Sequence, residues 1–237
     1  MTTIIREMID GLSCLVMAPA DAADPDAVIM LLHGWGSDAS DMMGLAPMLA
    51  ERCPSALILA PDGPAPCPAN PAGRQWFDLG MTAAPLDDGP DEAQPMLDAL
   101  VTTLMQRHNL GPNRLVLAGF SQGCMMALHC GLRFADDNGR GIAGIIGFSG
   151  ALLAPDRLAA EIRNRPQVLL VHGMADPVVP PQALDLAEKV LSDNDVAVSV
   201  LRREKLEHGI DAEGLTAALD FLAVVLDDTG KPVKSAK

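Results

Sequence analysis

Positive charge is scarce in this chain: 17 Lys and Arg stand against 31 Asp and Glu in 237 residues, a formal net charge of −14. A surface of that sign repels polyanions, so nucleic acid is not an expected partner, and no basic face offers itself to anionic lipid. Long apolar runs are missing too. None approaches the roughly 20 residues that span a bilayer, and the Met-Thr-Thr-Ile-Ile start lacks the charged and apolar regions of a secretion signal. Stable membrane insertion is therefore not expected. The five cysteines (Cys14, Cys53, Cys67, Cys124, Cys130) contain no CxxC pair and leave an odd one over. Reduced thiols in a cytoplasmic protein are the simple reading. The five histidines show no ligand spacing such as HExxH, so no metal is expected. Aromatic residues are few, two Trp, five Phe and no Tyr, so any place where rings gather stands out.

What is present describes a folded α/β protein. Apolar residues make up 49% of the chain against 20% charged, the balance of a compact globule rather than a disordered chain. A chain of this length buries a full core as one domain, here expected over residues 1–226, with a polar, frayed tail from Asp227 to Lys237. Strand and helix patterns alternate, which predicts a mostly parallel sheet covered on both faces. Ile4–Ile9 and Ser13–Met17 read as an opening antiparallel hairpin around Asp10-Gly11. The wholly apolar run Val28–Leu32 reads as a buried central strand. A helix capped by Asp41 is expected to run to about Arg52, followed by a strand at Leu57–Ala60. Further helices are expected over Asp91–His108, Cys124–Phe134, Pro181–Leu191 and Asp211–Leu226. Strands are expected at Leu115–Ala118, Ile142–Phe148, Val168–Val171 and Val196–Leu201.

One stretch breaks this alternation. Between Pro61 and Pro90 the chain also holds Pro64, Pro66, Pro68, Pro71 and Pro85, with Gly63, Gly73, Gly80 and Gly89 between them. So long an excursion inside a compact domain is usually functional or disordered. Its centre, Arg74-Gln75-Trp76-Phe77-Asp78, carries two of the scarce rings. Two readings remain open: Trp76 and Phe77 wall a substrate pocket, or they anchor the excursion to the core.

The chemistry is concentrated in Leu115-Val116-Leu117-Ala118-Gly119-Phe120-Ser121-Gln122-Gly123. A Ser in G-x-S-x-G, lodged between a strand and a helix, is the signature of a nucleophile elbow. The turn is sharp and strained, so the positions two before and two after the Ser cannot carry a Cβ. The free N–H groups of the new helix then lie beneath the hydroxyl. Such a Ser needs a base, and the base needs an acid to set its tautomer. In this architecture they follow in the order Ser, acid, His, each in a turn leaving a strand. Asp176, in His172-Gly173-Met174-Ala175-Asp176-Pro177-Val178-Val179-Pro180, and His208, in Glu207-His208-Gly209-Ile210, fit that order.

The other candidates have quieter readings. His172 sits at the end of its strand, where an imidazole satisfies turn carbonyls. His129 lies too far along the elbow helix to face Ser121, and His108 ends a helix, where a cation meets the dipole favourably. Asp185 and Asp195 read as solvated. Glu207 adjoins His208, and sequence neighbours seldom face each other. An oxyanion hole requires two backbone N–H groups. Gln122 supplies one at the helix start. The loop Leu32-His33-Gly34-Trp35-Gly36-Ser37 supplies the other from Trp35, with the indole lining the acyl side and His33 in a structural role.

Taken in order, LLHGWGSD, GFSQG, HGMADPVVP and EHGI resemble the phospholipase/carboxylesterase family of α/β-hydrolases, which includes bacterial carboxylesterases and acyl-protein thioesterases. The resemblance covers about Ile4 to Leu226. It implies an α/β-hydrolase fold without a large lid, a triad of Ser121, Asp176 and His208, and an oxyanion hole from the N–H groups of Trp35 and Gln122. It also implies hydrolysis of small-molecule esters or thioesters through an acyl-enzyme, without a cofactor, in a family whose members often form homodimers. Two positions depart from the pattern. Cys124 stands where members usually have a small residue, either trimming the pocket floor or packing. Trp35 stands where members often have Leu, which narrows the acyl side and favours small to medium acyl chains. A thioesterase or lysophospholipase acting on long chains keeps the same chemistry. A non-catalytic binding protein would not require the intact set, and nothing resembles the propeller or lid domain that filters substrates in a peptidase.

Overall fold

The computed structural model describes residues 3–20, 24–79 and 86–226. The polar tail at 227–237 and the stretch 80–85 of the excursion lie outside the described residues. Its framework is an eight-stranded sheet. Strands β1 (Ile4–Ile9) and β2 (Leu12–Met17) form the expected hairpin, and β2 pairs antiparallel with β4 (Ala56–Pro61). From β4 onward every pairing is parallel, through β3 (Ala27–Leu32), β7 (Leu115–Phe120), β8 (Gly144–Phe148), β9 (Gln167–Gly173) and β10 (Val198–Arg203). The spatial order is β1-β2-β4-β3-β7-β8-β9-β10.

Alternate side chains of the central strands feed two cores. Val28, Met30, Leu32, Leu115 and Leu117 face α3 (Gly89–Arg107), α4 (Gln122–Arg133) and α6 (Gln182–Asp193). Ile29, Leu31, Ile58, Val116 and Ala118 face the other layer, α1 (Ala39–Met43), α2 (Ala46–Arg52) and α7 (Ala212–Val225). Strand β3 is buried along its whole length because both faces are covered, which is why it reads as a continuous apolar run. A short α5 (Leu158–Glu161) lies between β8 and β9.

Two expectations are corrected. The single helix from Asp41 to Arg52 is two helices, and its N-cap is Asp38, whose carboxylate accepts the Ser40 N–H at 2.7 Å. Gly44 closes α1. Pro47, in the first turn of α2, has no N–H to continue a ladder from the preceding turn. The excursion is not structureless where it is described: β5 (Ala65–Cys67) and β6 (Asn70–Gln75) form a small antiparallel hairpin. Prolines are tolerated in this hairpin because β5 and β6 form a sheet of two edges, where Pro need cost no ladder bond.

Candidate active site

Strand β7 ends beside β3, with Leu32 opposite Gly119, so the loops that leave both strands emerge together at the carboxyl edge of the sheet. Ser121 occupies the turn between β7 and α4 at φ 53° and ψ −116°, a region that L residues rarely adopt. Its N–H donates to the Phe148 carbonyl at 2.9 Å, and its carbonyl accepts from Met125 at 3.1 Å. The two glycines of the motif are required by close approach. A Cβ on Gly119 would lie 2.1 Å from the Gly123 carbonyl oxygen, and one on Gly123 would lie 2.0 Å from that of Leu32. Gln122 begins α4, where a backbone N–H has no carbonyl one turn back to satisfy it. The preceding loop lies against the elbow: a Cβ on Gly34 would come within 3.1 Å of the Phe120 ring and 3.4 Å of the Ser121 Cβ.

Asp176 and His208 are 32 residues apart in the chain and adjacent in space. The His208 Nδ1–H donates to Asp176 Oδ2 at 2.7 Å. The other carboxylate oxygen accepts the N–H groups of Val178 at 2.8 Å and Val179 at 2.9 Å, so the Pro177 turn holds the acid in one orientation. Burial works to raise the Asp176 pKa. The hydrogen bonds from His208, Val179 and Val178 outweigh it and keep the carboxyl below its ordinary value. The His208 turn docks on the end of β9, where Ala175 N–H donates to the Leu206 carbonyl at 3.1 Å. A Cβ on Gly173 would strike the carbonyl oxygens of Leu206 and Glu207 at 2.2 and 2.3 Å. The His208 ring lies 4.8 Å from that of Phe120.

Ser121 and His208 line one cleft of about 480 Å³, together with Trp35, and its walls are mainly apolar: Met42, Leu45, Leu79, Phe120, Val178 and Ile210. Ser37 and Asp41, joined by a hydrogen bond, form a polar rim. These wall residues had no motif to announce them. Met42, Leu45, Val178 and Ile210 share a signal of position, since each lies in a segment that follows the carboxyl end of a strand of the large sheet, and Phe120 is the last residue of β7.

The reading of Trp76 and Phe77 as substrate-binding residues is corrected. Both are buried, 2% and 3% exposed, within the main core, and neither borders the cleft. The Trp76 indole N–H donates to the His33 carbonyl at 2.9 Å, and the Phe77 ring packs against Gly89. Their apolar rings turn inward, and Leu79 alone among described residues of the excursion reaches the cleft.

The remaining histidines and the cysteines have structural surroundings. His33 accepts the Gly63 N–H at Nε2, 2.8 Å, and donates from Nδ1 to the Gly34 carbonyl at 2.7 Å. Accepting at Nε2 requires the neutral ring, and burial, which lowers its pKa, favours the same form. His172 Nε2 donates to the Val179 carbonyl at 2.9 Å, within the turn that carries Asp176. His129 is buried in α4 beside Asp91, with Nε2 2.9 Å from its carboxylate, and burial together with Arg133 lowers its pKa to about 4. His108 caps α3, but burial and the neighbouring Arg107 lower its pKa, so a dipole-stabilised cation is not favoured there. All five cysteines are free. Cys124 is buried against Gly147 and Gly150 rather than in the cleft lining, and burial pushes its thiol up to about 12. Among the described residues no group of three His, Cys, Asp or Glu side chains is arranged to hold a metal, and no helix is long and apolar enough to cross a membrane.

The parallel sheet, the strained Ser between β7 and α4 and the hydrogen-bonded Asp–His turns define an α/β-hydrolase of the serine hydrolase class. A family model described as Phospholipase/Carboxylesterase matches residues 14–226. The chain is 30% identical over 206 residues to the esterase YpfH of Escherichia coli (strain K12), covering 82% of this chain and 81% of that protein. It is 30% identical over 176 residues to acyl-protein thioesterase 1 of Yarrowia lipolytica, covering 69% and 75% respectively. Among solved structures, esterase PE8 superposes with a TM-score of 0.84 at 35% identity, over 91% of this chain and 99% of that one. The chain belongs to the phospholipase/carboxylesterase family, and it is an enzyme of the carboxylesterase type.

Proposed function

We propose that this enzyme hydrolyses carboxylic esters of small to medium acyl chain through an acyl-enzyme on Ser121. The observation that carries the reading is the 2.7 Å Asp176–His208 hydrogen bond ending in the cleft that Ser121 also lines. His208 Nε2 takes the Ser121 proton as Oγ attacks the substrate carbonyl. The N–H groups of Trp35 and Gln122 hold the tetrahedral oxyanion, a kind of donor worth about 10²–10³ in rate each. His208 then protonates the leaving alcohol or thiol, and water activated by the same imidazole releases the acid. Asp176 keeps Nδ1 protonated and stabilises the imidazolium. No cofactor takes part.

Chain length follows from the walls. The Trp35 indole borders the cleft and is tied by Nε1 to Gln75 at 2.8 Å, which supports a short acyl side. The second reading, an acyl-protein thioesterase or lysophospholipase of long chains, is favoured by the apolar walls from Met42, Leu45, Leu79, Val178 and Ile210. A cytoplasmic location, suggested by the five free thiols, and assembly as a homodimer complete the proposal. The test is a series of p-nitrophenyl esters and matched thioesters of increasing acyl length with the wild type and Ser121→Ala. A maximum at short to medium esters, abolished in Ser121→Ala, is expected. Turnover retained in Ser121→Ala refutes the nucleophile, and a maximum at long thioesters replaces the first reading with the second.

A further inference from the structure

The two proposed oxyanion donors sit on different pieces of chain, Trp35 beyond the end of β3 and Gln122 at the start of α4. The pairing of β3 with β7 extends only to Leu32 and Gly119, so the sheet does not itself hold the 33–37 loop against the elbow. Residues 63–77 make a third body bonded to both. Toward the 33–37 loop, Gly36 N–H donates to the Arg74 carbonyl at 2.9 Å and Arg74 N–H to the Ser37 carbonyl at 2.7 Å. Asn70 Nδ2 donates to the Gly36 carbonyl at 2.8 Å, and Trp35 Nε1 to Gln75 Oε1 at 2.8 Å. The bonds from Gly63 and Trp76 to His33 belong to the same set. The contact is close, since a Cβ on Gly73 would lie 2.1 Å from the Gly36 carbonyl oxygen. Toward the elbow, the Gln122 side chain is the link. Its Oε1 accepts the Trp76 N–H at 2.9 Å and its Nε2 donates to the Phe77 carbonyl at 2.7 Å, with the residue wholly buried.

We infer that the segment from Gly63 to Phe77 is a brace that sets the separation of the two oxyanion donors, with the side chains of Gln122 and Gln75 as its positioning residues. The inference rests on the site proposed above. Physically, an oxyanion hole acts only when both N–H groups lie about 2.7–3.1 Å from the developing charge. A misplacement of about 1 Å can cost on the order of 10²-fold in rate. Gln122 thus has two separate parts. Its backbone N–H is the proposed oxyanion donor, and its side-chain amide grips the segment whose Gln75 side chain holds the Trp35 indole. A buried apolar side chain at 122 would leave the Trp76 N–H and the Phe77 carbonyl unpaired. Gln75 is the peripheral end of the same brace, so its replacement disturbs less of the core.

The test compares Gln75→Leu, Gln75→Glu and Gln122→Leu with the wild type on a short p-nitrophenyl ester. It adds inhibition by an alkyl trifluoromethyl ketone, whose serine adduct carries an oxyanion. Ser121→Ala serves as the control for the site. Gln75→Leu and Gln122→Leu are expected to lower kcat about tenfold or more with KM nearly constant, and to weaken the ketone by a similar factor. Gln75→Glu keeps an acceptor for the Trp35 indole and is expected to restore most of the loss. The brace is refuted if folded Leu variants keep kcat and ketone affinity within about twofold, or if kcat falls while ketone affinity stays. If Gln122→Leu does not fold, Gln75→Leu and its rescue decide. Turnover retained in Ser121→Ala instead overturns the underlying site, whatever the glutamine variants do.

Discussion

Replacing Asp176 by Asn tests whether one side chain orients the proposed base. The amide has nearly the shape of the carboxylate, and its orientation is dictated by what surrounds it. Oδ1 of Asp176 faces two backbone N–H groups, Val178 at 2.8 Å and Val179 at 2.9 Å. An Asn must turn its oxygen toward them; the flipped rotamer forfeits two hydrogen bonds of about 1 kcal/mol each and sets N–H against N–H. That is a preference of at least about 2 kcal/mol, roughly thirtyfold. The amide NH₂ is therefore directed at His208 Nδ1, in the place of Oδ2 at 2.7 Å. Nδ1 must then accept, which moves the ring proton to Nε2 and leaves no lone pair for the Ser121 hydroxyl. A wrong tautomer of this kind costs about 10⁴ in kcat. The assay is kcat and KM on a short p-nitrophenyl ester together with the rate of Ser121 labelling by a fluorophosphonate. Both rates are expected to fall in parallel, with KM little changed and the fold intact by circular dichroism. A folded Asn variant that keeps more than about one tenth of wild-type kcat would show that Asp176 does not set the tautomer.

Two further outcomes follow from charge. His129 is buried and its pKa is lowered to about 4 from 6.5, by burial first and then by Arg133, with Arg157 adding to the effect and Asp91 opposing it. The unfolded chain takes up this proton first, so the contribution to stability is whole above pH 6.5 and is lost as pH falls toward 4, by about 3 kcal/mol. Denaturant titrations between these pH values are expected to show that decline flattened in His129→Leu, and an unchanged slope refutes the assignment. Asp41 is the one carboxylate among the described residues lining the cleft, and no Lys or Arg lines it with Asp41. Esters ending in a carboxylate are expected to be poorer substrates than neutral isosteres. Asp41→Asn is expected to narrow the gap by about threefold at low salt and less at high salt; a gap unchanged by the substitution excludes Asp41 as its source.

The local parts of the molecule could be read directly. Gly119 and Gly123 mark the elbow because the backbone there passes within 2.1 Å of where a Cβ would be, and a missing side chain is visible in any sequence. The turn around Asp176 was equally plain, since Pro177 and Pro180 stiffen it and it follows a strand buried on both faces. The chain order of Ser121, Asp176 and His208, with the Trp35 loop ahead of them, was enough to name the reaction class. These features depend on neighbours in the chain, and neighbours in the chain are what a sequence records.

Tertiary structure alone decided which way rings and amides face. Trp76 and Phe77 had the composition of a pocket wall and of a core anchor alike; burial of an apolar ring is favourable in either place, so only the path of the excursion chose the core. Phe120, Leu79 and Val178 carry no pattern that separates cleft from core, yet they form its walls. Gln122 was legible as a helix start with a free N–H. That its side chain reaches Trp76 and Phe77, 46 and 45 residues away, was not, because those bonds join parts of the chain that only the folded packing brings together. The sequence by itself determined which residues could do acyl transfer. Tertiary structure decided how those residues are held, because the bonds that orient them, such as His208 to Asp176 and Gln122 to Trp76 and Phe77, join groups far apart in the chain that only packing brings within reach.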